Sequence, residues 1–494
     1  MSIKAKFAKS GAWMMVSAIF NNLSSMIIFV ALARLLTPTQ FGIVAFATIF
    51  IELSRTLVVA GIPDALIQRK GWDDDVASSA FWTNIGLSLA ICMVISLIAA
   101  PLSYFGYDEI FALVLFALSF ALVIEALTTV HTAKLRREFR YKAIAGRNMV
   151  ANVLGGVIGI ALAAIGWGVW ALVASRLLSA SLTSIILWRT SGWTPQLSFR
   201  WDHVRSLSRT SFHLLSNQLI GQANTQIAGL IIGVAIGPAA VAQFRVGTRI
   251  LDLMAQLVIS PLQAAAMSAF SRLANDGKPI GPAYTRVTRT CSLIACPMFF
   301  GAAAIAPDVI HVLFGSQWTE AATIMVINSV VVGPSVIMYF FVPALAAAGY
   351  SALSSRHYFA SLIVNVTTAV AAAPLGLLAI AAAKTIQSHL TLPYGLRLTK
   401  QAIGLGALDN LRAVAPAYLA SISMGGAVWA LGHFALGGMT PLSRLAIMAV
   451  AGVLLYAALL AVFARRFFKD NLSELTSLFG RFKQSRPVRS TLEG

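Results

Sequence analysis

FGIVAFATIFIELSRTLVVAGI, residues 41–62, is the stretch on which the reading of the fold turns. Its length and its Leu, Val, Ile, Phe and Ala content match one helical crossing of a bilayer, which takes about 20 apolar residues. Glu52 and Arg55 nevertheless stand in its middle, three residues apart. An ionisable group at mid-membrane costs at least about 2.5–3.5 kcal/mol, so such groups face a protein interior, a cavity or a partner. At i,i+3 the two side chains can meet on one helix face. Either they form a structural ion pair, or they belong to a charged interior.

Outward from this stretch the pattern repeats. The 494 residues are 58% hydrophobic and only 11% charged, with mean hydropathy +0.79. A soluble domain carries about 25% charge. Runs of spanning length, about fourteen in all, lie near 11–33, 41–63, 77–100, 109–131, 148–166, 167–188, 211–236, 239–262, 287–307, 321–345, 357–376, 377–396, 413–433 and 441–464. The fold class expected is an all-α polytopic membrane protein of about 14 transmembrane helices.

The formal net charge of +19 does not indicate nucleic acid here, because basic residues concentrate in loops and set orientation. Assigned to alternating sides, most Lys and Arg residues fall on the side of both termini, notably the group from Lys134 to Arg147. Arg34 and Arg444 fall opposite. Both termini are therefore expected in the cytoplasm. The N-terminus resembles a signal peptide, but its apolar run is long and Asn21 and Asn22 interrupt it, so a retained first span is expected. The inner connections 132–148 and 190–210 read as the longer ones, and 307–320 as the longest outer one. Cys92, Cys291 and Cys296 all fall within spans, read as packing residues.

An internal repeat pairs Pro38 with Pro238, Leu53 with Leu253, Leu57 with Leu257, Val58 with Val258, and Glu52 with Asp252. Spans repeated in one orientation imply two lobes related by an axis along the membrane normal. The expected organisation is an N-terminal lobe at 1–200 (helices 1–6) and a C-terminal lobe at 201–400 (helices 7–12). Two added helices follow at 401–464, then a basic tail at 465–494. Gly155 and Gly159, and Gly229, Gly233 and Gly237, recur every four residues, as in closely packed helices.

The pair Glu52–Arg55 has company. Arg245, Arg249, Asp252 and Gln256 follow one narrow stripe of the eighth span. The seventh span carries Asn217, Gln218, Gln222, Asn224 and Gln226. The sixth has Arg176, and the twelfth Lys384, Gln387 and His389. Five basic residues against Glu52, Glu125 and Asp252 leave the interior net positive, which suits a water-filled cavity and an anionic ligand. Snorkelling to an interface is the alternative for Arg176, Lys384 and above all Arg245. Glu125 has no basic residue near it on its own helix. It reads as a coupling site for a proton or Na⁺, or as a hydrogen-bonded structural group, as do Glu52 and Asp252.

No enzyme constellation, metal spacing or cofactor motif emerges. Asp73–Asp75 reads as a helix cap. ALARLLTPTQFGIVAFATIFIELSRTLVVAGIPDALIQRK (31–70) and KLRREFRYKAIAGRN (134–148) resemble polysaccharide flippases of the multidrug/oligosaccharidyl-lipid/polysaccharide exporter superfamily. The likeness is to the Wzx-type, WzxC-like branch and, within it, to rhizobial exopolysaccharide (succinoglycan) transporters. The turn after span 1 and the L-R-R-E-F-R segment after span 4 carry the resemblance.

The resemblance implies two six-helix lobes around a central cavity and alternating access. It implies an undecaprenyl-pyrophosphate-linked oligosaccharide as substrate, moved across the bacterial inner membrane. Membrane lipids, a coupling H⁺ or Na⁺, and a polysaccharide polymerase and co-polymerase are the partners that go with it. Arg55, Arg249 and Lys384, then Arg176 and Arg245, with Gln222, Asn224 and Gln256, are the residues expected in that cavity. A cation-coupled drug antiporter is the alternative, favouring acidic and aromatic lining. A membrane polysaccharide polymerase fits less well, since the outer connections are short.

Overall fold

The computed structural model describes residues 3–59, 62–69, 71–102 and 109–463. Every element among them is helical. The tail expected at 465–494 lies outside the described residues. Contacts divide the chain into two compact units. One comprises 1–257, 309–328 and 352–391, the other 258–308, 329–351 and 392–494. These bounds follow contact density, whereas the expected lobes 1–200 and 201–400 are drawn from a sequence repeat.

The first unit begins with α1 (Ile3–Leu35), α2 (Pro38–Val59) and the short α3 (Ile62–Gln68). It continues through α4 (Asp74–Leu102), α5 (Glu109–Arg137), α6 (Tyr141–Ala164), α7 (Val169–Ser191), α8 (Trp201–Ala235) and α9 (Pro238–Met254). α6 packs on α1 and α7, α5 on α4 and α7, and α2 on α5, α8 and α9. Pro38 and Pro238, the pair aligned by the internal repeat, open α2 and α9, where the missing N–H is an orphan anyway. The two helices meet there: a Cβ on Gly42 would stand 2.0 Å from the Pro238 carbonyl oxygen.

Glycines admit the other close approaches. Gly155 and Gly159 face Ser179 and Ser175 of α7, and Gly229 and Gly233 face Ile49 and Phe46 of α2. Gly237 does not join that face as its spacing suggested. It lies in the turn between α8 and α9 with φ 119°, in open space.

The chain continues with α10 (Ser260–Asn275), α11 (Gly281–Ala304), α12 (Ala306–Phe314), α13 (Thr319–Ser329), α14 (Val332–Met338) and α15 (Phe341–Ala347). α16 (Ser351–Ala372), α17 (Leu377–Ile403), α18 (Ala407–Ala430) and α19 (Pro441–Phe463) complete it. In the second unit α11 packs on α18, and α18 on α19, around Met424, Val428 and Met448. Asp308, almost fully buried, receives both Arg444 Nε (2.9 Å) and Arg444 Nη2, tying α19 to the start of α12.

Among the described residues eleven helices are long and apolar enough to cross a membrane, or twelve if the broken segment from α13 to α15 is one span. The two remaining expected spans are α8 and α17, of 35 and 27 residues. Gln218, Gln222, Asn224 and Gln226 interrupt the first, and Lys384, Gln387 and His389 the second.

Three connections differ from expectation. In 132–148 only residues 138–140 leave the helix, and Phe139 takes φ 57° to make the corner. The region 307–320 is mostly α12 and a short 3₁₀ turn, Ser316–Trp318. α8 begins at Trp201, inside 190–210. Charged residues ended the apolar runs in each case, but they do not end helices, whose hydrogen bonds are indifferent to side-chain polarity.

The expected cap is present: Asp73 Oδ1 accepts from the N–H groups of Asp75 (3.0 Å) and Val76 (3.3 Å). Beside it Asp74 Oδ1 accepts from the indoles of Trp72 (2.8 Å) and Trp193 (2.9 Å), which pins residues 192–200 to α4.

Candidate functional site

The site grows from α5. Glu125, Thr128, Thr129, Thr132 and Arg136 are spaced i, i+3, i+4, i+7 and i+11, which keeps them on one helix face. That face forms one wall of a cavity of 860 Å³ inside the first unit. α1 contributes Asn21, Asn22 and Ser25, and α2 and α3 contribute Arg55, Val59 and Pro63. α6 adds Arg147, Asn148, Ala151 and Asn152, and α7 adds Arg176, Ser179, Ala180 and Thr183. The lining is largely polar, and among the described residues no aromatic side chain is in it. Asn21 Oδ1 is buried with no hydrogen-bond partner among the described residues.

One end of this cavity carries a network of alternating charge. Arg176 Nη2 donates to Glu52 Oε1, and its Nη1 to Thr48 Oγ1 at 3.3 Å. Glu52 Oε2 lies 3.4 Å from Arg55 Nη1. Arg55 Nε lies 2.7 Å from Glu125 Oε2. Two arginines and two carboxylates thus join α7, α2 and α5 with no net charge. Glu52 and Arg55 do meet on one face, yet the shorter contact of Arg55 is to Glu125. Glu125 has no basic neighbour on its own helix, as expected; its partner, Arg55, comes from α2.

The other end lies where α5 stops and α6 starts. Arg147 Nε and Nη2 donate to Asn148 Oδ1 at 2.9 and 2.6 Å, and Nη1 to Thr132 Oγ1 at 3.4 Å. Arg136 is exposed in the last turn of α5. Both arginines read from sequence only as loop charge, since they flank an apolar run. The i, i+3, i+4, i+7 threonine stripe from Glu125 to Arg136 was the signal that could have found them. Asn21 and Asn22 were noticed only as an interruption of the first span.

The stripe of α9 follows a different course. Arg245 Nη2 donates to Gln226 Oε1 of α8 at 2.6 Å. Arg249 Nη2 donates to Ser25 Oγ at 2.8 Å, and its guanidinium lies over the Phe29 ring at 5.1 Å. Arg249 thus touches the cavity wall through Ser25. Lys384 Nζ lies 5.6 Å from the centre of the Phe244 ring. Asp252 is exposed and makes no ion pair among the described residues, though its charge acts on Arg245, Arg249 and Lys384. Gln256 is exposed within a π-helical turn, Ala255–Ile259. Asn224 Nδ2 donates to the Tyr358 carbonyl at 3.0 Å and Asn224 Oδ1 accepts from Asn365, so its amide is spent on α16. Gln222 is half-buried in α8. None of Arg245, Lys384, Asp252, Gln222, Asn224 and Gln256 lines the 860 Å³ cavity.

The end of the first unit at the α1–α2 turn is clasped. Arg34 donates to the carbonyls of Leu313 (2.7 Å) and Val312. Gln317 Nε2 and Trp318 Nε1 donate to the Ala33 carbonyl at 2.9 and 3.1 Å. The Gln317 and Trp318 bonds satisfy an orphan carbonyl in the last turn of α1, and the Arg34 bonds satisfy two in the last turn of α12. Among the described residues no group of His, Cys, Asp and Glu fits a metal ion.

Comparison with known proteins agrees with this architecture. The chain is 27% identical over 323 residues to the succinoglycan biosynthesis transport protein ExoT of Rhizobium meliloti (strain 1021), covering 65% of each chain. It spans just under two thirds of that relative's length. The lipopolysaccharide biosynthesis protein WzxC of Escherichia coli (strain K12) is 20% identical over 335 residues, covering 67% of this chain and 68% of its own. Among solved structures, the lipid II flippase MurJ in an inward closed conformation superposes with TM-score 0.75. The match is 14% identical and covers 93% of this chain and all of the other. It shows a shared fold. Residues 31–323 match the polysaccharide biosynthesis protein family; this multi-pass membrane chain belongs to it.

Proposed function

We propose that the chain is a flippase for lipid-linked oligosaccharide in exopolysaccharide or lipopolysaccharide synthesis. Its substrate is an undecaprenyl-pyrophosphate-linked repeat unit, moved from the cytoplasmic to the periplasmic leaflet of the bacterial inner membrane. The cavity carries this reading. It has 860 Å³ lined by asparagine amides, serine and threonine hydroxyls, and four arginines against one glutamate. Amides and hydroxyls offer donors and acceptors to sugar hydroxyls. Arginine offers a planar fork to phosphate oxygens. The unbonded Asn21 Oδ1 fits a ligand hydroxyl. A cavity for cationic drugs would favour acidic and aromatic lining, and among the described residues this one has a single carboxylate and no aromatic ring.

The mechanism follows from the two ends of the first unit. The cavity reaches the end where α5 stops and α6 begins, and the α1–α2 end is clasped by Arg34, Gln317 and Trp318. That arrangement fits one state of an alternating-access cycle, with both chain termini in the cytoplasm and the cavity open to it. The headgroup enters the cavity while the prenyl tail stays among membrane lipids. Opening the clasp while closing the arginine end releases it to the other leaflet. The neutral network of Arg176, Glu52, Arg55 and Glu125 suits coupling: a proton or Na⁺ at Glu52 or Glu125 frees an arginine. Arg245, Arg249, Lys384 and Asp252, with Gln222, Asn224 and Gln256, are assigned to the same translocation path beyond Ser25. A polymerase and co-polymerase receive the product on the periplasmic side.

Reconstitution tests the reading. Purified protein is placed in liposomes with a fluorescent disaccharide on prenyl pyrophosphate, and dithionite quenches the outer leaflet. The protein is expected to equilibrate the label between leaflets. Protection no faster than in empty liposomes, with and without a proton or Na⁺ gradient, contradicts it.

A further inference from the structure

We propose that the anionic group of the ligand, a phosphate or pyrophosphate ester, is held at Arg136 and Arg147, not at Arg55 and Arg176. The proposal rests on the headgroup cavity described above and locates the charge within it. All four arginines line that cavity. What separates them is compensation. Arg55 and Arg176 stand against Glu52 and Glu125, so an anion arriving there meets two carboxylates and must displace them from guanidiniums they already occupy.

Arg136 and Arg147 show no such counter-charge among the described residues. Among the described residues no carboxylate lies within 4.0 Å of either. Arg147 is held by the neutral oxygens of Asn148 and Thr132, which fix its plane and leave its charge unspent. Arg136 lies close enough for the two like charges to act on each other. A pair of uncompensated guanidiniums in one polar cavity repel until an anion sits between them. The α-helical rise of about 1.5 Å per residue separates Arg136 from Glu125 by roughly 16 Å along α5. The two ends of the cavity therefore act as separate places. Between them run the hydroxyls of Thr128, Thr129 and Thr132, suited to the uncharged part of a sugar headgroup. Arg136 and Arg147 also belong to the KLRREFRYKAIAGRN segment, in which Arg137 is spent on the Leu66 carbonyl and Arg140 on Glu138.

The test uses the full chain, purified in neutral detergent, with inorganic pyrophosphate as the probe in isothermal titration calorimetry. Arg136→Gln/Arg147→Gln is expected to weaken binding at least about tenfold, and Arg136→Gln alone by about three- to tenfold, the net scale of one hydrogen bond at an exposed position. Arg136 is exposed, so its single variant keeps the fold and carries the test if the double variant does not. The double substitution Arg55→Gln/Glu125→Gln, which removes one charge of each sign, is expected to weaken binding less than Arg136→Gln does. Phosphatidylglycerol at equal concentration is expected not to displace pyrophosphate.

If the wild type binds and the Arg136 variants bind equally well, or only the Arg55 variant loses binding, the subsite is wrong while the headgroup reading stands. Displacement by phosphatidylglycerol also overturns the subsite, making it a general lipid-anchoring surface. If the wild type binds no pyrophosphate, the headgroup reading fails with it.

Discussion

Arg55 Nε lies 2.7 Å from Glu125 Oε2, across the contact between α2 and α5. The pair joins the two helices that also hold Glu52 and the threonine stripe, so it couples the charge network to the cavity wall. Losing one partner is expected to cost more than losing both. Glu125→Ala leaves Arg55 with Glu52 alone at 3.4 Å, whereas Arg55→Ala/Glu125→Ala leaves no orphan between them. A double-mutant cycle on thermal unfolding in nanodiscs is expected to give a coupling of roughly 0.5–3 kcal/mol. Arg55 is 47% exposed, so the lower half of that range is expected. Additive single effects contradict a shared network.

Gly42 tests the approach of α2 to α9. A Cβ there would stand 2.0 Å from the Pro238 carbonyl oxygen, and backbone cannot rotate away as a side chain can. Gly42→Ala is expected to destabilise by about 1–3 kcal/mol. Gly86→Ala in α4 has nothing within 4 Å and is expected to be neutral or stabilising by up to roughly 1 kcal/mol. Equal melting temperatures for the two variants contradict the contact.

Asp308 and Arg444 form a two-pronged ion pair in the second unit, with the carboxylate almost fully buried. Arg444→Ala strands that carboxylate and is expected to cost about 3–5 kcal/mol. Arg444→Lys restores the charge without the fork and is expected to recover only part of the loss. Full recovery with lysine shows that charge alone matters. Thermal unfolding of the three proteins decides.

Trp193→Phe keeps an aromatic ring in the cluster with Phe81 and His131 but removes the indole N–H that Asp74 accepts. The expected loss is about 1.5–3 kcal/mol, with faster hydrogen exchange over 192–200. Unchanged exchange there contradicts the pinning of that connection to α4.

The sequence exposed what one helix shows by itself. Apolar length gave the spans, Pro38 and Pro238 gave two helix starts, and the i,i+3 spacing gave Glu52–Arg55. It hid what arises between helices. Glu125 looked unpartnered because its arginine comes from α2. Arg136 and Arg147 looked like loop charge because an apolar run ends before a helix does. Asn21 and Asn22 looked like a flaw in the first span, since no single-helix pattern reveals the cavity they border. α8 and α17 are long helices with more polar side chains than the other expected spans, so eleven or twelve helices among the described residues are apolar enough to cross a membrane. Close helix contacts were legible at Gly155 and Gly233, but Gly237, on the same spacing, turned out to be the turn residue before α9.

The most direct measurement of the flippase claim follows lipid-linked repeat units by leaflet in cells. A deletion strain lacking redundant flippases is complemented with the wild type, with Arg147→Gln and with Glu52→Gln, each at equal membrane abundance. Cytoplasmic-leaflet accumulation in the deletion, relieved by the wild type and not by Arg147→Gln, is the result expected. Delivery of the repeat unit to the periplasmic leaflet without this protein contradicts the account.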